Sequence, residues 1–204
     1  MKKLSVLTTF LPIFGLILGS CAIPNQPVGQ ELQEISQTHY QGSDDTQPQL
    51  TESSKLAING IGPIRVGMTL EEAEKAARTK LIRIPYPDNK SANCFYVEPE
   101  DGLKGLSFKV VNDQIVLVEI NGDNPGITTV SGAKIGDKQE QIESLYPEHL
   151  EVRYTLPGDN TLLTFVPKDE SEQQYRMEFT IYDTLVTRIL AGKRSEVEDP
   201  TQCF

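Results

Sequence analysis

Nucleophilic catalysis usually needs a histidine beside a serine or cysteine, and this 204-residue chain has two histidines, His39 and His149. No serine or cysteine lies in a sharp turn between a strand-like run and a helical run, where such nucleophiles are commonly presented. Because His39 falls in a polar segment, a triad would have to be built around His149. We expect His149 to be a surface residue, and the sequence predicts no catalytic site of this class.

Acidic side chains are the other group whose spacing suits chemistry. Glu98, Glu100 and Asp101 lie close together, and a pair of carboxylates can supply the acid and the base of a hydrolase. This loop and residues 121–124 also offer oxygen ligands of the kind that calcium binds. Neither loop has the twelve-residue alternation ending in Glu that a calcium loop shows. We expect solvated turns in both places, no metal site and no cofactor.

The N-terminus has the pattern of an export signal. Two lysines precede an apolar run over residues 4–18, which is shorter than the roughly 20 residues that span a bilayer. The sequence LGSC at residues 18–21 resembles the bacterial lipobox. This resemblance implies removal of residues 1–20 and acylation of Cys21, and Ala22 after the cysteine is the pattern of outer-membrane sorting in Gram-negative bacteria. The predicted location is therefore the cell envelope, anchored by lipid to the outer membrane and facing the periplasm.

Two cysteines remain once Cys21 carries the lipid. Cys94 and Cys203 are too far apart in sequence for a zinc or redox motif. In an oxidising compartment a disulfide is the default state of such a pair. The sequence predicts a Cys94–Cys203 bridge, which would close a loop of about 100 residues and restrict the unfolded chain by roughly 4–5 kcal/mol.

Composition divides the chain into a tether and a domain. Residues 21–55 are polar and proline-rich without sustained periodicity, which predicts a flexible tether after the lipidated cysteine. Residues 56–204 have the length of one domain. The formal net charge is −10, and loss of two lysines with the signal would make it about −12. So acidic a surface repels polyanions, and we expect no nucleic-acid partner.

A helix signal followed by strand signals occurs twice in the predicted domain. Thr69 and Glu72 have the spacing of a capping box, and Asp137 with Glu140 has the same spacing about 70 residues later. Alternating runs follow both signals, and Asn112-Asp113 between two of them indicates a hairpin. The sequence predicts an α+β fold of two tandem units, residues 60–125 and 130–192. Each unit would contain one helix and about three antiparallel strands, with the helices on one face of antiparallel sheet.

The first of these units resembles a known family. The run GMTLEE at residues 67–72 resembles the G-M-T/S-x-x-E/Q signature of small BamE-like envelope lipoproteins, whereas the second unit has GDK at residues 136–138. Two such units in tandem resemble the architecture of the secreted β-lactamase inhibitory proteins. The resemblance implies protein binding, either as an inhibitor of a hydrolase or as support for an envelope machine.

Exposed aromatic and acidic residues are the candidate contacts for a partner. Tyrosine on the exposed face of a strand offers contact area with a polar end, although packing in the core explains strand aromatics equally well. Tyr86 lies between two prolines in a long loop, and Tyr96, Glu98 and Tyr182 lie in or beside strand-like runs. We predict these four residues as possible binding residues.

Together these features predict a lipid-anchored, non-catalytic envelope protein that binds another protein, as an inhibitor or an assembly accessory. The membrane, through the N-terminal lipid, and an unidentified protein are the predicted partners. Two alternatives stay open: a lipoprotein that binds a small ligand or a divalent cation, and a carboxylate-dependent envelope hydrolase.

Overall fold

The computed structural model describes residues 49–85, 91–155 and 160–201, all within the unit Asp44–Phe204. The predicted signal at 1–20, Cys21 and most of the predicted tether lie outside these residues. The folded domain begins earlier than residue 56. Leu50 is 5% exposed, packs in the core and donates its N–H to Ala77 O at 3.4 Å.

Twelve strands and three short helices make up the described domain. The strands are β1 Lys55–Ala57, β2 Gly60–Ile61, β3 Ile64–Arg65, β4 Leu81–Arg83, β5 Cys94–Pro99, β6 Leu106–Val111, β7 Gln114–Asn121, β8 Thr128–Thr129, β9 Leu150–Thr155, β10 Asn160–Phe165, β11 Tyr175–Tyr182 and β12 Leu185–Lys193. The helices are α1 Leu70–Ala77, α2 Gln139–Leu145 and α3 Arg194–Glu198, and a 3-10 turn covers Glu170–Glu172. None of these helices has the length and apolarity needed to cross a membrane.

The strands form two sheets. The smaller has four strands in the order β3-β2-β1-β8, with β1 and β8 parallel. The larger has eight antiparallel strands in the order β4-β5-β6-β7-β12-β11-β10-β9. Four consecutive strands from each half of the chain therefore meet where β7 pairs with β12.

Two tight hairpins set the register on either side of that junction. Asn112 and Asp113 between β6 and β7 have φ of 49° and 64°, and Asp183 and Thr184 between β11 and β12 have φ of 49° and 68°. Two consecutive residues with positive φ form the turn whose twist matches two-residue hairpins. The hairpin predicted at Asn112-Asp113 is confirmed, since Val111 pairs with Gln114.

The main core lies between one face of the large sheet and the structures that cover it. The small sheet contributes Leu56, Ile61 and Ile64, α1 contributes Ala73 and Ala77, and α2 contributes Ile142, all of them 0% exposed. Facing them on the large sheet are Phe108, Val118, Ile120, Phe179, Ile189 and Ala191, also at 0%. Alternation along each long strand puts these apolar residues on one face.

The predicted fold class is wrong. The structure is mostly β, with two sheets of four and eight strands rather than tandem α+β units whose helices form a layer on one sheet face. The described α-helices have only 8, 7 and 5 residues, so the longest extends about 12 Å and covers little of the sheet. The small sheet does much of the covering. Its strands have two or three residues each, too few to give a periodic signal.

The predicted helix caps have different outcomes. At α1 the capping box is confirmed, because Thr69 Oγ1 accepts from Glu72 N–H at 3.2 Å and Glu72 Oε2 accepts from Thr69 N–H at 2.9 Å. At α2 the predicted cap is wrong. Lys138 is the N-cap and makes no side-chain bond, while the Asp137 carboxylate accepts from the backbone and ammonium of Lys134.

The two N-caps provide a matched pair for a stability measurement. Thr69→Ala removes a side-chain bond to the helix and should lower the free energy of unfolding by about 0.5–2 kcal/mol. Lys138→Ala removes no capping bond and should change it by less than about 0.5 kcal/mol. Urea melts followed by circular dichroism measure both values. Equal losses in the two variants would contradict the capping account.

Candidate functional site

The second face of the eight-stranded sheet carries the unusual chemistry of this domain. Successive side chains of a strand point to opposite faces of the sheet, so the neighbours of the core residues point away from the core. This second face is formed by β5, β6, β7, β11 and β12. There they present Lys109, Glu119, Arg176, Glu178 and Arg188 among smaller side chains. We call this side the polar face.

Cross-strand register arranges the polar face in rows. The first row runs Tyr96, Lys109, Leu117, Gly192 and Arg176 across β5, β6, β7, β12 and β11. The second runs Ser107, Glu119, Leu190, Glu178, Thr164 and Glu151 from β6 to β9. The third runs Asn121, Arg188, Thr180, Leu162 and Arg153 from β7 to β9. Tyr182 and Leu185 pair beyond the third row, at the hairpin end of β11 and β12.

The C-terminal segment covers the first row, and we call this part the covered end. Lys109 is 0% exposed. Its Nζ lies 2.9 Å from Glu196 Oε2 on α3 and donates to Pro200 O at 3.2 Å. The Tyr96 hydroxyl donates to the same carbonyl at 3.5 Å. Removing one member of a buried ion pair costs about 3–5 kcal/mol, so Lys109 fixes α3 in place.

A small apolar cluster reinforces the covered end. Val197 of α3 is 1% exposed and packs on Leu117 and Leu190, which are both fully buried. The neighbouring Arg176 is 6% exposed and donates through Nη1 to Gln173 O at 3.0 Å and to Tyr175 O at 2.7 Å. The covered end is therefore closed by packing as well as by charge.

In the second row, buried carboxylates meet the arginines of the third. Glu178 is 2% exposed, and its Oε2 accepts from Arg153 Nη2 at 2.7 Å and from Thr164 Oγ1 at 3.2 Å. Glu119 is largely buried between Ser107 and Leu190. Burial raises the pKa of Glu119, and the charge of Arg188 opposes that rise.

Exposure increases from the second row toward the hairpin end. Tyr182 is 57% and Leu185 is 41% exposed, and the side chain of Arg153 is 49% exposed. We define the open surface as Arg153, Leu162, Thr180, Tyr182, Leu185 and Arg188. No described contact of the open surface comes from α3, and Leu185 at its hairpin end forms a backbone bridge with Lys138, the N-cap of α2.

The sequence-predicted binding residues are dispersed in the structure. Tyr96 is 5% exposed beneath Pro200, so burial removes it from the accessible candidates. Glu98 is exposed on β5, opposite Ile82. Tyr182 lies four strand positions away on β11, a lateral separation of about 19 Å at normal strand spacing. Of the four predicted residues, only Tyr182 is on the open surface, and Tyr86 lies outside the described residues.

The predicted disulfide lies partly outside the described residues. Cys94 begins β5, is half-buried and is not a free thiol. Cys203 is not among the described residues, so its pairing with Cys94 stays a prediction. Cys21 also lies outside the described residues, so its acylation stays a prediction.

The acidic residues of the β5 loop are the sequence-predicted candidates for a catalytic or metal site. Glu98, Glu100 and Asp101 are all exposed, and Thr79 Oγ1 approaches Asp101 Oδ2 at 3.5 Å. Within residues 49–85, 91–155 and 160–201, His, Cys, Asp and Glu form no cluster of three that would hold a metal ion. A crevice of about 370 Å³ beside α1 is lined by flexible charged side chains such as Glu71, Lys75 and Arg78. These features do not assemble a recognisable catalytic constellation.

Sequence reasoning missed the charged residues of the polar face. A signal was available: each interrupts an apolar strand run, as Lys109 does in LSFKVV, Glu119 in VLVEIN and Arg188 in LVTRIL. Charges at alternate positions of apolar strands indicate a second face whose charges must be paired. Which charged residues pair with each other depends on the register between strands, which the sequence does not show.

The raised pKa of Glu119 generates a pH-dependent stability. Between the unfolded value, about 4.3, and the higher folded pKa, the folded carboxyl keeps a proton that the unfolded chain has lost. This contribution is complete below the unfolded pKa and is lost as pH rises through the folded pKa. The free energy of unfolding of Glu119→Gln minus that of the wild type should therefore rise as the pH is raised from 4 to 8, as measured in urea melts. A constant difference between the two proteins over that range would contradict this account.

Comparison with known proteins adds one distant likeness. No protein-family model and no curated protein matches the chain. Among solved structures it is similar to the uncharacterized protein yfeY from Escherichia coli. The identity is 17%, the match covers 68% of this chain and 99% of that chain, and the TM-score is 0.45.

Proposed function

We propose that this chain is a lipid-anchored, non-catalytic protein of the bacterial cell envelope that binds another protein through its open surface. The observation that carries the proposal is the half-closed polar face. One end of it is sealed by α3, while the other presents Tyr182, Leu185 and Arg153 to solvent.

Composition of the open surface supports a protein partner. Tyrosine and arginine are enriched at protein interfaces and dominate binding hot spots, and lysine is depleted there. The open surface has two arginines, one tyrosine and two leucines, and no lysine. Scattered surface leucines need no explanation, but here they adjoin arginines in one cross-strand array.

Preorganisation gives the second support. Glu178 holds Arg153 by a 2.7 Å bond and is itself held by Thr164. Such an arginine loses less rotamer freedom on binding than one extended into water. The strands beneath it are part of an eight-stranded ladder, so the surface is presented on a rigid element.

The evidence for the lipid anchor comes from the sequence. The lipobox-like run at 18–21 and the resemblance of residues 67–72 to BamE-like lipoproteins support an acylated envelope protein. Acyl chains on one cysteine bury enough methylenes for stable membrane attachment. In this proposal the polar segment after Cys21 connects the anchor to the domain, and the outer membrane facing the periplasm is its location.

Lipidation is tested by metabolic labelling with a radioactive fatty acid. The wild-type protein should incorporate label, and Cys21→Ala should incorporate none while accumulating as an unprocessed precursor. Equal labelling of both proteins, or of neither, would rule out the anchor.

Partner binding is tested by affinity capture from detergent-solubilised envelopes. The double variant Tyr182→Ala with Leu185→Ala should weaken capture of the partner by roughly thirtyfold, the loss of about 2 kcal/mol expected for one hot spot. Val130→Ala, a substitution at a residue 71% exposed outside the polar face, should bind like wild type. Unchanged capture by the double variant, with Val130→Ala as reference, would exclude the open surface as the binding site.

A further inference from the structure

The strand β9 is an edge of the large sheet with little of the usual protection. Among the described residues it pairs only with β10. Natural edge strands are commonly blunted by proline, charged side chains, a bulge or short length. The strand β9, with sequence LEVRYT, has six residues and no proline, its ladder with β10 runs without a register shift, and its two charges, Glu151 and Arg153, are of opposite sign.

The unpaired backbone groups of this edge follow from the ladder. Val166 N–H donates to His149 O at 2.8 Å, and this pair continues the β9–β10 register. Because hydrogen-bonded pairs alternate along an antiparallel ladder, Glu151 and Arg153 direct their N–H and C=O toward β10. Leu150, Val152 and Tyr154 direct theirs to the free edge.

The side chains beside these groups are exposed and apolar. Val152 is 46% and Tyr154 is 77% exposed, and both lie on the core-side face of the sheet, beyond the part that the small sheet covers. On the polar face, Glu151 is exposed and Arg153 is half-exposed. An apolar stripe on one face and opposite charges on the other are thus arranged along one edge.

We propose that β9 pairs antiparallel with β9 of a second copy of this chain, centred on Val152. This register is self-complementary, as a two-fold interface requires. It places Val152 opposite its own copy, Leu150 opposite Tyr154 on the core-side face, and Glu151 opposite Arg153 on the polar face. The outward N–H and C=O groups of residues 150, 152 and 154 all find partners.

Charge selects this register over its neighbours. Shifting the centre to Glu151 would oppose two carboxylates, and shifting it to Arg153 would oppose two guanidinium groups, which is destabilising on a sheet. A shift of one residue would exchange the faces of the paired side chains. Only the Val152-centred register places each Glu151 opposite an Arg153, whose guanidinium has donors left beside the one that bonds Glu178. The open surfaces of the two copies then lie on the same side of a continuous sheet.

The register is tested by oxidative cross-linking of the full chain in cells. Val152→Cys should give a disulfide-linked homodimer, because directly opposite residues of a hydrogen-bonded pair lie about 5.5 Å apart at Cα, within disulfide reach. Val130→Cys, exposed but away from the edge, is the matched control. A homodimer band no stronger than that of Val130→Cys, or linkage of Val152→Cys to a different protein, would overturn the proposal.

Charge reversal tests the same register without an added cysteine. In sedimentation equilibrium of the detergent-purified full chain, Glu151→Arg should weaken dimerisation about tenfold, since two attractive pairs become repulsive. Glu151→Gln should weaken dimerisation less than Glu151→Arg, because it removes the attraction without adding repulsion and leaves the Arg153–Glu178 bond intact. Dimerisation of Glu151→Arg at wild-type strength, or equal losses in the two variants, would contradict the Val152-centred pairing. Circular dichroism of each variant establishes that it is folded.

Discussion

Residues 117–121 of β7 pair with residues 188–192 of β12, and this ladder joins four strands from each half of the chain into one sheet. The backbones are so close that a Cβ at position 192 would lie 2.4 Å from Val116 O, which explains the glycine there. Without this junction neither the wall of the main core nor a continuous polar face exists. The apolar positions of both strands, Val118 with Ala191 and Ile120 with Ile189, are fully buried at the join.

A sheet buried on one side by the small sheet and short helices still has a second side to satisfy. Here the two ends of the polar face pair their charges in different ways. The fully buried ammonium of Lys109 is neutralised by Glu196 and bonded to Pro200 O, which commits the C-terminal segment to one end of the face. At the other end, the buried carboxylate of Glu178 pairs with Arg153 at the surface of the sheet at 2.7 Å, so this charge is met within the sheet and not by α3. The asymmetry between covered end and open surface follows from where each charge finds its partner.

Local signals in the sequence predicted local structure. The Thr69 cap and the Asn112-Asp113 hairpin depend on residues within a few positions of each other, and both are present. The fold class failed because it depends on non-local pairings: β1 with β8 and β7 with β12 join residues about 70 apart. The strands of the small sheet are too short for periodicity, and α3 has five residues.

Of the residues on the open surface, only Tyr182 is among those that the sequence predicts as binding residues. Strand context predicts both Tyr182 and Tyr96, but Tyr182 is exposed and Tyr96 is buried. The difference lies in the C-terminal segment, whose contact with Tyr96 spans more than 100 positions of sequence. The sequence does not single out Arg153, because an isolated arginine in a strand run gives no sign of the buried glutamate with which it pairs, here Glu178.

Tyrosine nitration of the native protein tests the central claim, that one polar face is closed at one end and open at the other. Tyr96 and Tyr182 lie on the same face with exposures of 5% and 57%. Mass spectrometry of peptides from the nitrated chain should find Tyr182 modified early and Tyr96 protected until the protein is unfolded in urea. Equal modification of the two residues under native conditions would show that the C-terminal segment does not cover the face, and would contradict the account.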